Sequence, residues 1–183
     1  MNKRFKDTFS SEWVKYVVVI VLSVAIWIAA FGLYHAPKPY EKIELFFAGK
    51  VKDYSFSGVA EKSIDGIKKV EISSIAPSAG IQFDKKYEVV GLNGCDVVLV
   101  PLSVAEKTDC KGSFLPLEGM GESFEQGGEA YGVFLPDSAI VALSRYFEFG
   151  EERYVAFVVA SSVNAGKASD HAIVFVKWLV EYV

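Results

Sequence analysis

The sequence predicts an α/β fold: an N-terminal transmembrane helix followed by one three-layer α/β/α domain with a largely parallel sheet. Three observations carry this. An uncharged run of 19 residues, Tyr16 to Tyr34, lies near the start of the chain. The remainder alternates short apolar runs with helix-like segments. Several of those runs are apolar on both faces, as strands are in a sheet covered on two sides.

As a helix, the N-terminal run is roughly 29 Å long, close to the hydrocarbon thickness of a bilayer. Trp13, Tyr16 and Tyr34 sit where interfacial aromatics belong, and Lys3, Arg4, Lys6 and Lys15 outnumber Asp7 and Glu12 ahead of the run. Basic residues on that side place it in the cytoplasm. The expected organisation is a cytoplasmic basic stub (1–15), a transmembrane helix (16–36), a linker (37–41) and an extracytoplasmic domain (42–183), in a single-pass protein of the cell membrane. Pro37 and Pro39 stop the helix and stiffen the linker, leaving His35 and Lys38 near the membrane surface. Two alternatives pass the same test: a cleaved signal peptide, with Ala30-Phe31-Gly32 as a poor cleavage match, and a buried core helix. No Cys follows closely enough to take a lipid anchor.

With the anchor set aside, about 140 residues remain, enough for one well-buried core. Apolar residues make up 51% of the chain, which argues against disorder. Beyond residue 15 the chain carries a net charge of −6, so the positive field needed to bind nucleic acid is missing.

The elements follow in order. "KIELFFAG" (42–49) reads as a strand ending at glycine, and "SGVAEKSIDG" (57–66) as a short helix opened by its serine. "KKVEISS" (68–74) puts Val70 and Ile72 on one face and Lys69 and Glu71 on the other, the pattern of an edge strand. "IQFDKKYEVVGLNG" (81–94) reads as a helix closed by glycines. "CDVVLVP" is a central strand, and Ser103 with Glu106 supplies the capping box of the helix after it. "GSFLPL" suggests a short strand and "EGMGESFEQGGEAYG" a loop. "YGVFLP" (131–136) is a strand, "DSAIVALSRYF" a helix capped by Asp137 or Ser138, and "RYVAFVVASS" (153–162) a further buried strand. In the last segment Ala168, Ala172, Phe175, Val176, Leu179 and Val183 share one helical face.

The order of these segments resembles one lobe of an extracellular solute-binding protein, the type II periplasmic binding-protein fold that feeds ABC importers. "KIELFFAG" is similar to its opening strand and "KKVEISS" to its second. "GCDVVLVPLSVAEK" is similar to its glycine-aspartate-strand-proline segment. "GSFLPLE", "YGVFLP" and the return "YVAFVVASSVNAGKASDHAIVFVKWLVEY" continue the resemblance. The family inserts a second lobe between the segments resembling "YGVFLP" and "YVAFVV", and traps ligand between the two lobes. Here only Asp137 to Glu152 intervene, so a single lobe is expected, with the second wall missing.

In open α/β sheets ligands sit beyond the carboxyl ends of the strands. That edge is expected to gather Gly49, Ser73, Ser74, Ser103, Ser161, Ser162 and Asn164 as a ligand shelf; the same small polar residues equally suit caps and turns, and for Ser103 the capping role is the better account. Cys95 and Cys110 admit two readings. A disulfide closing about 15 residues would add roughly 3 kcal/mol, and the alternative is two separate thiols.

No catalytic residues are expected. Ser169, Asp170 and His171 are consecutive and fan apart on a helix, which excludes a triad. Glu118, Glu122, Glu125 and Glu129 lack the spacing of a calcium loop, and no metal or cofactor motif is present. Tyr131, Phe134, Tyr146, Phe147, Phe149 and Tyr154 crowd the shortened crossover, where any exposed member would offer a protein-binding patch. The expected function is non-catalytic: recognition of a small solute, or assistance to a membrane transport complex, with a permease or a second copy as partner. The alternative is an interaction or scaffold domain that has lost ligand binding.

Overall fold

Alternating side chains along the strands build two cores, one on each face of a six-stranded sheet. The computed structural model describes residues 3–117 and 119–182, excluding the side chains of residues 3–12, 33 and 35. Glu118, Val183 and the His35 side chain therefore lie outside the described residues.

The chain divides into two units, Met1–Ala36 and Pro37–Val183. The first is helix α1 (Lys3–His35), which contains a 20-residue apolar stretch, Trp13–Gly32, long enough to cross a membrane. Such a helix is compatible with a membrane anchor or a signal sequence. Ser23, the polar residue in mid-run, donates its hydroxyl to the Val19 carbonyl at 2.8 Å, so it brings no unsatisfied group into the apolar stretch.

In the second unit the elements are β1 (Lys42–Phe47), β2 (Lys50–Val51), α2 (Phe56–Ser63), β3 (Lys69–Ser74), α3 (Ile81–Lys86), α4 (Leu92–Gly94) and β4 (Val97–Pro101). They continue as α5 (Leu102–Ala105), β5 (Ser123–Gln126), β6 (Glu129–Phe134), α6 (Asp137–Leu143), β7 (Phe147–Glu148), β8 (Tyr154–Val158) and α7 (His171–Val180). A π-helical turn, Tyr87–Gly91, joins α3 to α4 into one helical run. There Asn93 donates to the Glu88 carbonyl at 2.7 Å.

The sheet order is β3-β1-β4-β8-β6-β5. The pairs β3·β1 and β1·β4 are parallel, while β4·β8, β8·β6 and β6·β5 are antiparallel. Four of the six strands thus run the same way, in a mixed sheet. The short return from β6 to β8 reverses the chain at one edge and leaves β8 antiparallel between β4 and β6. Both β4 and β8 are buried along their whole length, so their composition gives no cue to direction.

Leu45, Phe47, Val97, Leu99, Ala156 and Val158 face one core, closed by Phe56 and Ala60 of α2, Leu143 of α6, and Phe175, Val176 and Leu179 of α7. Phe46, Ala48, Val98, Val100, Val155 and Phe157 face the other, closed by Phe83, Tyr87, Cys110 and Phe114. The period of two along each strand separates the cores. β3 is an edge strand, with Val70 buried and Lys69 exposed.

Several local expectations change. The glutamate-rich segment is a β5–β6 hairpin whose two-residue turn, Gly127-Gly128, has φ of 65° and 86°, the conformation for which paired glycines are suited. "GSFLPL" makes isolated bridges instead of a strand, with Pro116 unable to donate to a ladder. Ser103 is the second residue of α5, behind Pro101 in the cap position, so no capping box forms. Pro136 likewise precedes α6, and Ser55, not Ser57, precedes α2. α7 begins at His171, leaving Ala168 exposed in the turn before it.

Gly132 in β6 leaves room for its neighbours: a Cβ there would lie 2.6 Å from Val155 Cγ1 and 2.7 Å from Phe157 Cε1. Gly132→Ala is expected to destabilise the domain by about 1–3 kcal/mol through overpacking. Denaturant unfolding of the detergent-solubilised full chain measures this, and an unchanged midpoint contradicts it.

Candidate functional site

The residues expected to form one shelf are divided between opposite edges of the sheet. The carboxyl ends of β1, β3 and β4 carry Gly49, Ser73, Ser74 and Ser103. Because β8 is antiparallel to β4, the segment after it places Ser161, Ser162 and Asn164 at the amino ends of β1 and β4.

The carboxyl edge is occupied by the chain's own groups. Glu152 Oε2 accepts the Ser103 backbone N–H at 2.9 Å, and these Ser103 hydrogen bonds hold the Glu152 carboxyl below the usual range. The buried Tyr154 hydroxyl donates to the Ala48 carbonyl at 3.3 Å and accepts the Gly150 N–H at 3.2 Å. β2 and β7 form a two-stranded ribbon that continues from Gly49. At Gly49 a Cβ would lie 2.5 Å from the Phe47 ring, so packing requires that glycine. Lys86 caps the Ser74 carbonyl at 3.0 Å, and Ser73 and Ser74 are half-buried beside Phe46 and Phe47 of β1.

The amino edge is organised by Asp96. Asp96 is 8% exposed. One carboxylate oxygen accepts from the Ser162 hydroxyl and from Asn164 Nδ2 at 3.1 Å, and the other accepts the Glu44 backbone N–H at 2.8 Å. Asn164, fully buried, also donates to the Lys42 carbonyl at 2.8 Å and the Pro39 carbonyl at 3.3 Å. Its Oδ1 accepts the Ser169 hydroxyl at 2.6 Å, and its N–H donates to Ser162 Oγ at 2.9 Å. His171 Nδ1 lies 2.6 Å from the Tyr40 carbonyl, so Ser169 and His171 serve different neighbours and form no triad. The signal available in sequence was an aspartate heading a wholly apolar strand, with a serine and an asparagine closing another.

A cleft of about 340 Å³ opens at this edge, lined by Lys42, Glu44, Asn93, Cys95, Asp96 and Ser161 among others. Lys42 is held between Glu44 at 2.6 Å and Glu71 at 2.8 Å. Cys95 and Cys110 are separate, buried thiols. Burial pushes Cys95 up to about 12, with Glu44 and Asp96 adding to it, and pushes Cys110 up to about 11. No group of three metal-ligating side chains occurs among the described residues.

The aromatic crossover belongs mostly to the core. Tyr131, Tyr146, Phe147 and Tyr154 are buried, and Phe134 and Phe149 are half-buried. The Arg153 guanidinium covers Phe134 at 3.9 Å and pairs with Glu122. Glu129 accepts the Tyr131 hydroxyl. Among the described residues, none of these six aromatics is exposed.

No family model matches the chain, and neither does any curated protein or solved structure.

Asn164→Ala removes donors from a buried carboxylate and two carbonyls together, and is expected to cost about 2–4 kcal/mol in a denaturant titration. A loss below 1 kcal/mol, on the order of an ordinary surface change, contradicts the network's role. Both thiols should resist a thiol-reactive dye at pH 8 in the native chain and react on unfolding. Since burial raises both above the unfolded value of about 8.5, stability is full below that pH and falls as pH climbs toward 11 and 12. Fast native labelling of either cysteine at pH 8 would be inconsistent with this.

Proposed function

We propose that the chain is a membrane-anchored, extracytoplasmic, non-catalytic protein, a single-lobe relative of extracellular solute-binding proteins that assists a membrane transport complex through protein contacts. The observation that carries this reading is the carboxyl edge, where the chain's own groups bond to one another. Glu152 stands on the amide that would face an anionic ligand, and Tyr154 bonds the Ala48 carbonyl beside the β2–β7 ribbon. An open lobe buries too little of a small molecule to hold it between walls.

The resemblance supports the same reading from the strand layout. The segments resembling "KIELFFAG", "KKVEISS" and "CDVVLVP" form adjacent parallel strands, and those resembling "YGVFLP" and "YVAFVV" are neighbours joined by α6 and β7. On this reading α6 and β7 take the position of the family's second lobe. The apolar helix, preceded by Lys3, Arg4, Lys6 and Lys15, supports an anchor with its N-terminus in the cytoplasm.

Photo-cross-linkers at Tyr54 and Val141, which are 64% and 72% exposed, test the proposal in intact membranes. The expected product is a covalent adduct with a polytopic transporter subunit, with the chain retained in the membrane fraction. Release of a shortened chain, or no adduct from either position, would overturn it.

A further inference from the structure

We infer that the outer edge of β3 pairs with β3 of a second copy of the chain, antiparallel and with Ile72 opposite Ile72, joining two six-stranded sheets into one. This goes beyond the accessory role, which concerns a transporter subunit and other residues.

The first ground is the direction of the backbone groups. Ile75 donates its N–H to the Phe47 carbonyl of β1 at 3.2 Å. Backbone groups alternate in direction along a strand, so Lys69, Glu71 and Ser73 also turn theirs toward β1, while Val70, Ile72 and Ser74 turn theirs away from the sheet. Two contacts agree with this. Glu61 Oε1 of α2 accepts the Val70 N–H at 2.9 Å, and Lys86 Nζ of α3 donates to the Ser74 carbonyl at 3.0 Å. Among the described residues, nothing bonds the other outward groups: Val70 C=O, Ile72 N–H, Ile72 C=O and Ser74 N–H. An open row in the middle of an edge strand is a template for another strand.

The second ground identifies the occupant, because the open groups are complementary to themselves. With Ile72 opposite Ile72 as a hydrogen-bonded pair, the two residues exchange both bonds, and Ser74 N–H of each copy reaches Val70 C=O of the other. Every open group is then used. The capped Val70 N–H falls opposite the capped Ser74 C=O, which brings Glu61 of one copy and Lys86 of the other, of opposite charge, to one place. Centring the pair on residue 70, 71, 73 or 74 sets a capped group against an open one instead.

The third ground is the side chains. On the α2 side the half-buried Ile72 meets its own copy. On the other side Glu71 meets Ser73 and Lys69 meets Ile75, so no like charges lie directly opposite.

Ser74→Pro is the test variant: its N–H points outward, so an edge proline removes an intermolecular donor and spares the β1–β3 ladder. Sedimentation of the detergent-solubilised full chain should show a reversible dimer at concentrations up to about 100 μM. Ser74→Pro should weaken that dimer by about ten-fold or more, since each copy loses a hydrogen bond. Mild oxidation of single-cysteine variants reads the register, the native thiols being buried. Ile72→Cys, with its Cα about 5.5 Å from its mate, should give a covalent dimer, and Ser74→Cys, opposite Val70, should not. A monomer throughout the range, a dimer indifferent to Ser74→Pro, or equal cross-linking at the two positions would each overturn the inference.

Discussion

The buried Asp96 carboxylate is the constraint on which the rest of the domain depends. It heads the central strand β4, and its donors come from the start of β1 and from the turn after β8. These three strands are neighbours in the sheet. Asn164 extends the link to the linker through Pro39 and Lys42, and His171 adds a contact to Tyr40. The linker is therefore bonded onto the domain from Pro39 onward. Buried polar groups of this kind hold one arrangement because each alternative leaves a charge unsatisfied.

The course of β8 explains why the seven candidate residues do not share one edge. A parallel β8 would have carried Ser161, Ser162 and Asn164 to the carboxyl edge. The antiparallel β8 takes them to the amino edge, where they serve Asp96. The carboxyl edge carries Glu152, Tyr154 and the ribbon. The two edges thus differ: one carries Glu152, Tyr154 and the ribbon, the other the Asp96 network.

Much of the fold was legible from periodicity. The membrane-length helix, the edge character of "KKVEISS", the buried "VVLVP" and the apolar face of α7 each follow from where charges and apolar residues recur. Strand direction was not legible, because Val97–Pro101 and Tyr154–Val158 are buried on both faces and read alike either way. The Gly127-Gly128 turn was readable in principle as a hairpin, but the surrounding glutamates disguised two strands as loop. The caps were misplaced because Pro101 and Pro136 start their helices through backbone geometry, and Ser103 finds its partner 49 residues away in Glu152. That kind of pairing leaves no local trace. The edge each candidate residue occupies is set by the sheet.

The most direct test of the Asp96 network is a double-mutant cycle between Asp96 and Asn164, using Asp96→Asn and Asn164→Ala in the solubilised full chain. If the two side chains act as one unit, the second change costs little once the first is made, with a coupling of about 2 kcal/mol or more. Additive losses within about 0.5 kcal/mol would mean that the two residues stabilise the domain independently, and would contradict the account.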